Sequence, residues 1–347
     1  MDTSDEMLPD GIHFGVNADA VYHPHEGLGS GDVRRLLLNP AEFWWNSRLN
    51  PLRPTDTDSA FKTFGRAVHV RVLEGEEKFN RLYEREDTSD DMLRTDADLA
   101  AWLRKRDIKP LRSKAEKIAQ ALFADPGVKI EDDIKERAEK EGRTILKADD
   151  YDRIIISSAL IADNPDLEHA FDGGMPEVAV IWTETIDGEP VRCKALFDYL
   201  KIRGIGDLKS TSNPKEMDFP PLCRIRFAER RMDLQAAHYM RGRSFIRQFV
   251  KDGAVFGDHD PQWLRKVADQ AEYGFAFVFF QTTGAPSSWA CSLSPENSIL
   301  RDAAIYREAA LKAFVLCRRK YGDGMWLKRE PIQELDPADL PMWFGRR

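Results

Sequence analysis

Cysteine is scarce in this chain. Its four copies, Cys193, Cys223, Cys291 and Cys317, are scattered, with no C-x-x-C pair. That excludes the tight spacing of a structural zinc site and the dense framework of a small secreted domain; it is the usage of an intracellular protein with buried thiols. No run approaches the roughly eighteen continuous apolar residues of a membrane span. The opening MDTSDEMLPDGIHF is acidic and lacks a secretory apolar core, so the expected location is cytoplasmic, with no membrane partner. Positive charge is lacking in sum: the formal net charge is −8. Any nucleic-acid site must therefore be a local basic groove, because the whole chain does not attract phosphate. Repeats and low-complexity tracts are absent. With 42% hydrophobic and 32% charged residues, the composition is that of a folded globular protein. Its 347 residues allow one large domain or two ordinary ones.

The stretch from Val191 to Lys209, VRCKALFDYLKIRGIGDLK, organises what is present. It predicts two strands joined by a short turn. A period of two puts Val191, Cys193, Ala195 and Phe197 on a core face and Arg192, Lys194, Leu196 and Asp198 on the other. In the second strand Asp207 and Lys209 share a face. Two carboxylates and a lysine would then meet at the ends of adjacent strands. Carboxylate pairs hold hard cations such as Mg²⁺ or Mn²⁺, which activate water and neutralise phosphate. A lysine one pleat away can orient or deprotonate that water, or stabilise the developing charge. Taken alone, Asp-x-Lys is a weak motif whose commoner meaning is a surface ion pair.

The rest of the chain divides at Met175. Residues 1–27 read as a flexible or strand-like lead. Residues 28–174 are mainly helical: a helix over Val33–Asn46 interrupted at Pro40, with Phe43, Trp44 and Trp45 expected to pack; another over Ser59–Leu73; a charged helical stretch from Asp91 to Arg143 that carries no functional signal; and an apolar-faced helix in 147–164. In the second helix Phe61, Gly65, Val68 and Val72 form a stripe. His69 lies beside it, and Gly65 is expected to mark a close backbone approach. After Met175 come a strand over Glu177–Glu184, a hairpin turn at Asp187-Gly188, the central pair, and a long helix from Phe227 to Val250. On that helix Arg231, Gln235 and Tyr239 would share one face within the most basic part of the chain, Arg224 to Arg247. Two further strands and a long C-terminal helix complete an α/β domain, and Trp343 is a candidate docking anchor.

Six features in this order resemble the PD-(D/E)xK nuclease superfamily, and within it the RecE-type (exodeoxyribonuclease VIII-like) phage and prophage exonucleases. They are SGDVRRLLLNPAEFWW, the Gly65-x-x-x-His69 helix, Glu177, Phe197-Asp198, GDLKST around Asp207 and Lys209, and Gln235-x-x-x-Tyr239. Together they span Ser30 to Trp343. Phe197 stands where the superfamily name has proline. The resemblance implies a restriction-endonuclease-like core, a central mixed sheet flanked by helices with a helical N-terminal portion, as a single domain over 28–347.

It further implies Asp198 and Asp207 as metal ligands with His69 and the Leu208 carbonyl, Lys209 as the catalytic lysine, and Gln235, Tyr239 and Glu177 as catalytic positions. The implied cofactor is Mg²⁺, with Mn²⁺ as substitute. The implied activity is exonuclease action on duplex DNA ends, 5′ to 3′, leaving a 3′ tail for a single-strand annealing recombinase, from a ring-like homo-oligomer. Arg231, Arg192 and Lys194 are the expected DNA contacts. A restriction-like or structure-specific endonuclease and a non-catalytic DNA-end-binding module are the alternatives. The Asp/Asp/Lys set argues against the binding module, which has no need of desolvated carboxylates.

Overall fold

In the computed structural model, residues 8–54, 60–167, 169–327 and 331–340 are described, the side chains of 60–62 excepted. The chain enters through strand β1 (Gly11–His13) and a π-helical turn at Ala18–Tyr22. Helices α1 (Ser30–Leu38) and α2 (Pro40–Asn46) follow. Asn39 separates them: Pro40 cannot continue α1 but suits the start of α2, and the Asn39 side chain accepts from the Ala41 amide. Helix α3 (Ala60–His69) runs into a second π-helical turn, Val70–Glu74, and then α4 (Glu76–Leu82). Strands β2 (Tyr83–Arg85) and β3 (Thr144–Leu146) pair in parallel and bracket α5 (Asp96–Arg104), α6 (Lys114–Ala124) and α7 (Glu131–Lys140). This insert buries a small cluster of its own, Leu93, Leu99, Leu103, Ala121 and Ile130.

Helix α8 (Ala148–Ala162) leads to the strands β4 (Met175–Ile186), β5 (Glu189–Lys201) and β6 (Gly204–Thr211). Helices α9 (Phe219–Glu229), α10 (Met232–Ser244) and α11 (Ile246–Asp252), strand β7 (Val255–Phe256) and helix α12 (Pro261–Asp269) carry the chain to β8 (Gly274–Gln281), β9 (Ser288–Leu293) and α13 (Ser298–Tyr321). No described helix is long and apolar enough to cross a membrane.

Seven strands form one mixed sheet in the order β7-β1-β4-β5-β6-β8-β9. The β4–β5 hairpin turns on Asp187 and Gly188, both at positive φ (48° and 84°), the backbone that a tight two-residue turn between twisted strands requires. Strand β8 shows why the sheet is covered on both faces. Phe275, Phe277 and Phe279 enter the core that also holds Trp182, Phe197 and residues of α1, α2, α10 and α13. Val278 and Phe280 enter the opposite core with Leu208 of β6, Val68 of α3 and Ile154 of α8.

Several expectations need correcting. Of the two readings of the lead, the described residues 8–27 follow the strand-like one and not the flexible one: Ile12 is fully buried, and β1 is an inner strand, antiparallel to β4 and parallel to β7. The long helix over 227–250 is broken, because Arg231 takes a left-handed backbone (φ 51°) between α9 and α10. Phe43 and Trp44 are buried, but Trp45 is exposed. A methyl group on Gly65 would meet nothing within 4 Å, so that glycine marks no close approach; Phe64, Ala67 and Val68 are the buried residues there. Trp343 and the side chain of Phe61 lie outside the described residues.

Candidate active site

Glu177, Asp198 and Asp207 occupy one cross-strand row. Pro176 pairs with Tyr199 and Val178 with Phe197, so Glu177 stands opposite Asp198; Tyr199 pairs with Gly206, so Asp207 comes next on β6. The row itself is unpaired. Glu177 is pulled out of the ladder by a left-handed backbone (φ 51°), a conformation that costs a non-glycine residue about 1–3 kcal/mol and gathers at functional sites. Alternation slips there too: Phe197 and Leu200, three apart, enter the same core. Beyond Tyr199 and Gly206, β5 and β6 separate, and the Asp198 carboxylate fills the gap by accepting the Leu208 amide at 2.8 Å.

On the other side of Leu208, its carbonyl accepts from His69 Nε2 at 3.1 Å. A carbonyl only accepts, so Nε2 carries the proton. Burial, reinforced by Lys209, lowers His69 to about 4. The ring is therefore neutral, and its unprotonated Nδ1 lies 3.8 Å from Asp198 Oδ2. Two acceptors at that distance leave room for a shared cation. Ligand atoms of His69, Glu177 and Asp198 all lie within 4.8 Å of one another. Ligands at about 2.1 Å from one Mg²⁺ are at most about 4.2 Å apart, so the trio is at or near the spacing an ion needs. The donor set fits a metal; the Leu208 carbonyl, held by the other ring nitrogen, orients the imidazole so that Nδ1 is left for the ion.

Asp207 stands beside this trio. It is wholly buried, at 0% exposure, whereas the side chains of Asp198, Lys209 and His69 are 14%, 20% and 30% exposed. The mouth of the site is thus formed by the latter three. Asp207 Oδ1 pairs with Lys209 Nζ, and Oδ2 accepts from Gln235 Nε2 at 2.6 Å. Burial and then Asp198 raise Asp207 to about 7, against the pull of Lys209. Burial raises Asp198 as well, against Lys209 and the Leu208 amide. Burial and then Asp198 push Glu177 up to about 8. Burial alone would lower Lys209, but Asp207 and Asp198 outweigh it and hold the amine above its ordinary range. The row thus resists carrying three negative charges beside one fixed ammonium, and it ionises fully only when a cation replaces its protons.

Helix α10 supplies the lid of the site. Gln235 and Tyr239, one turn apart, face it together. Burial, Asp207 and Asp198 raise the Tyr239 hydroxyl, against hydrogen bonds with the Gln235 and Ser30 side chains. Ser30 begins α1, which brings the opening motif to the site. Glu74 carries no signal at helical spacing from His69, because the wide π-helical turn between them brings them together; its charge raises both His69 and Glu177.

The three expected DNA contacts are all engaged by groups of the chain itself. Lys194 is buried, and its ammonium donates to the carbonyls of Tyr22, His23 and His25 at 2.8–3.0 Å. Arg192 is tied to Asp10, Glu26 and the Leu8 carbonyl. Arg231 pairs with Asp233 at 2.8 Å and lies over the Tyr306 ring at 5.1 Å; as the residue before α10, it does not share the face of Gln235. Their charges serve internal contacts.

No family profile matches the chain, and no curated protein matches it in sequence. Among solved structures, a "Putative exonuclease" from Eubacterium rectale is similar over 92% of this chain and 97% of that one, at 13% identity and a TM-score of 0.45. The structure of SSO0001 is similar over 73% of this chain and 86% of its own, at 11% identity and a TM-score of 0.23. Likenesses this distant decide neither family nor activity, and the reading of the site rests on its own residues.

Proposed function

We propose that this chain is a metal-dependent deoxyribonuclease on a PD-(D/E)xK core. It would be an exonuclease that hydrolyses one strand from a duplex DNA end, 5′ to 3′. The observation that carries this reading is the pair of neighbouring acceptors, His69 Nδ1 and Asp198 Oδ2, set in a row of three carboxylates beside Lys209. Asp198, Glu177 and His69, with Asp207 at their edge, would hold the ion. Mg²⁺ or Mn²⁺ bound there supplies water activation and neutralisation of the scissile phosphate. Lys209 keeps its proton at Nζ and faces the charge that develops on the phosphoryl oxygens. Gln235 fixes Asp207 Oδ2, and so fixes the ammonium paired with Oδ1. Tyr239 closes the site from α10.

Polarity, the annealing partner and a ring-like homo-oligomer rest on the six-motif resemblance. The test is digestion of an end-labelled linear duplex and of a covalently closed circle, each in Mg²⁺ and in EDTA. Mg²⁺-dependent loss of the linear duplex, an intact circle and no activity in Asp207→Asn are expected. Cleavage of the circle would move the reading to an endonuclease. Binding of ends without hydrolysis in Mg²⁺ or Mn²⁺ would leave a DNA-end-binding module.

A further inference from the structure

We propose that the loop joining α5 to α6 is a phosphate-binding surface for the DNA backbone; the choice of DNA as the polyanion rests on the nuclease reading. Most cations of the helical insert are spent on neighbouring acids. Lys114 pairs with Asp132, Lys117 with Asp96, Lys129 with Asp87, Lys135 with Glu131, and Lys140 with Glu136, all between 2.5 and 3.1 Å. Arg137 and Arg143 both pair with Glu84. The segment RKRDIKPLR, from Arg104 to Arg112, departs from this pattern. Its five cations, Arg104, Lys105, Arg106, Lys109 and Arg112, are all exposed, and its single acid is Asp107. Among the described residues none of the five makes an ion pair. In an acidic protein, a dense group of cations left without acids makes a local positive potential that draws an external anion.

The charges are held in place by other means. Gln120 on α6 staples the loop: its Oε1 accepts the Leu111 amide at 3.0 Å and its Nε2 donates to the Lys109 carbonyl at 3.1 Å. The Arg106 guanidinium lies 3.5 Å over the Trp102 ring, which orients its plane. Complementing the C-terminal dipole of α5 accounts for Arg104 and its neighbour. It does not reach Lys109 and Arg112, which lie beyond the helix. The face of Trp102 is covered by Arg106 and offers no stacking platform, so the surface suits a repeating backbone of phosphates rather than unstacked bases. The insert also hangs on the site's own arm: β2 follows α4, which follows the π-helical turn linking His69 to Glu74.

The test is binding of a labelled blunt DNA duplex, in Ca²⁺ to hold cleavage, from about 50 to 200 mM salt. The wild type is compared with the triple variant Lys105→Gln, Lys109→Gln, Arg112→Gln. The variant should bind more weakly at low salt, with a log–log salt slope shallower by about 0.9 per lost contact, near 2.7 for all three. Its circular dichroism, and its hydrolysis of a small nitrophenyl phosphodiester, should match the wild type. Unchanged affinity and slope overturn the proposal while leaving the nuclease reading in place. Equal binding of poly-glutamate by the wild type overturns it in favour of a protein-docking surface. A weakened variant, beside a wild type that hydrolyses nothing, supports the surface and removes the nuclease reading instead.

Discussion

Asp198 and Leu208 meet where the central strands part: the carboxylate takes the amide at 2.8 Å, just past the last backbone pair, Tyr199 with Gly206. The side chain replaces a ladder bond and leaves a carboxylate in a buried gap beside a second one. Asparagine keeps the acceptor and removes the charge. Because burial holds the Asp198 carboxyl above its ordinary range, its ionised form works against folding at neutral pH. Asp198→Asn should therefore melt at or above the wild-type temperature in EDTA, while cleavage falls by orders of magnitude. A clear drop in melting temperature would make the carboxylate structural.

Gln235 touches Asp207 and not the trio of ligating atoms. Its loss should act through the orientation of Asp207 and Lys209. Gln235→Ala is expected to lower kcat about 10- to 100-fold, the usual size of an outer-shell defect, with KM for DNA little changed. A rise in KM at constant kcat would place Gln235 on the substrate instead.

Glu184 gives a pH signature away from the site. Burial alone would raise its carboxyl, but Arg307, Trp182 and Arg241 hold it at about 2, against an ordinary 4.5. The folded value is the lower one, so the stabilisation is complete above about 4.5 and is lost as pH falls toward 2. A difference of that size is worth roughly 3 kcal/mol. Urea titrations of the wild type and Glu184→Gln should differ at pH 7 and converge in acid. A gap that persists at low pH would assign the effect to packing.

Gly242 on α10 lies against Trp182 on β4, and a methyl group there would come within 2.7 Å of the indole. Gly242→Ala should cost about 1–3 kcal/mol by overpacking. It should also reduce activity, since the same helix carries Gln235 and Tyr239. A wild-type melting temperature would mean that α10 can back away from the sheet without loss.

What the sequence determined by itself is what local backbone geometry dictates. The positive-φ turn at Asp187-Gly188, the core face Val191-Cys193-Ala195-Phe197, the shared face of Asp207 and Lys209, and the break at Pro40 all follow from periods and dihedrals that span a few residues. The tertiary structure decided everything that joins distant segments. A three-residue strand such as β1 has too little length to show a period, yet it lies inside the sheet. Lys194 alternates outward like any surface lysine, but carbonyls some 170 residues earlier in the chain cover it. Arg231 sits on a helical pattern that its own left-handed backbone interrupts. His69 joins Asp198 only because α3 packs against the sheet face that carries Leu208. A charge has no period: which charges are spent inside and which are left for a ligand depends on neighbours that only folding brings near.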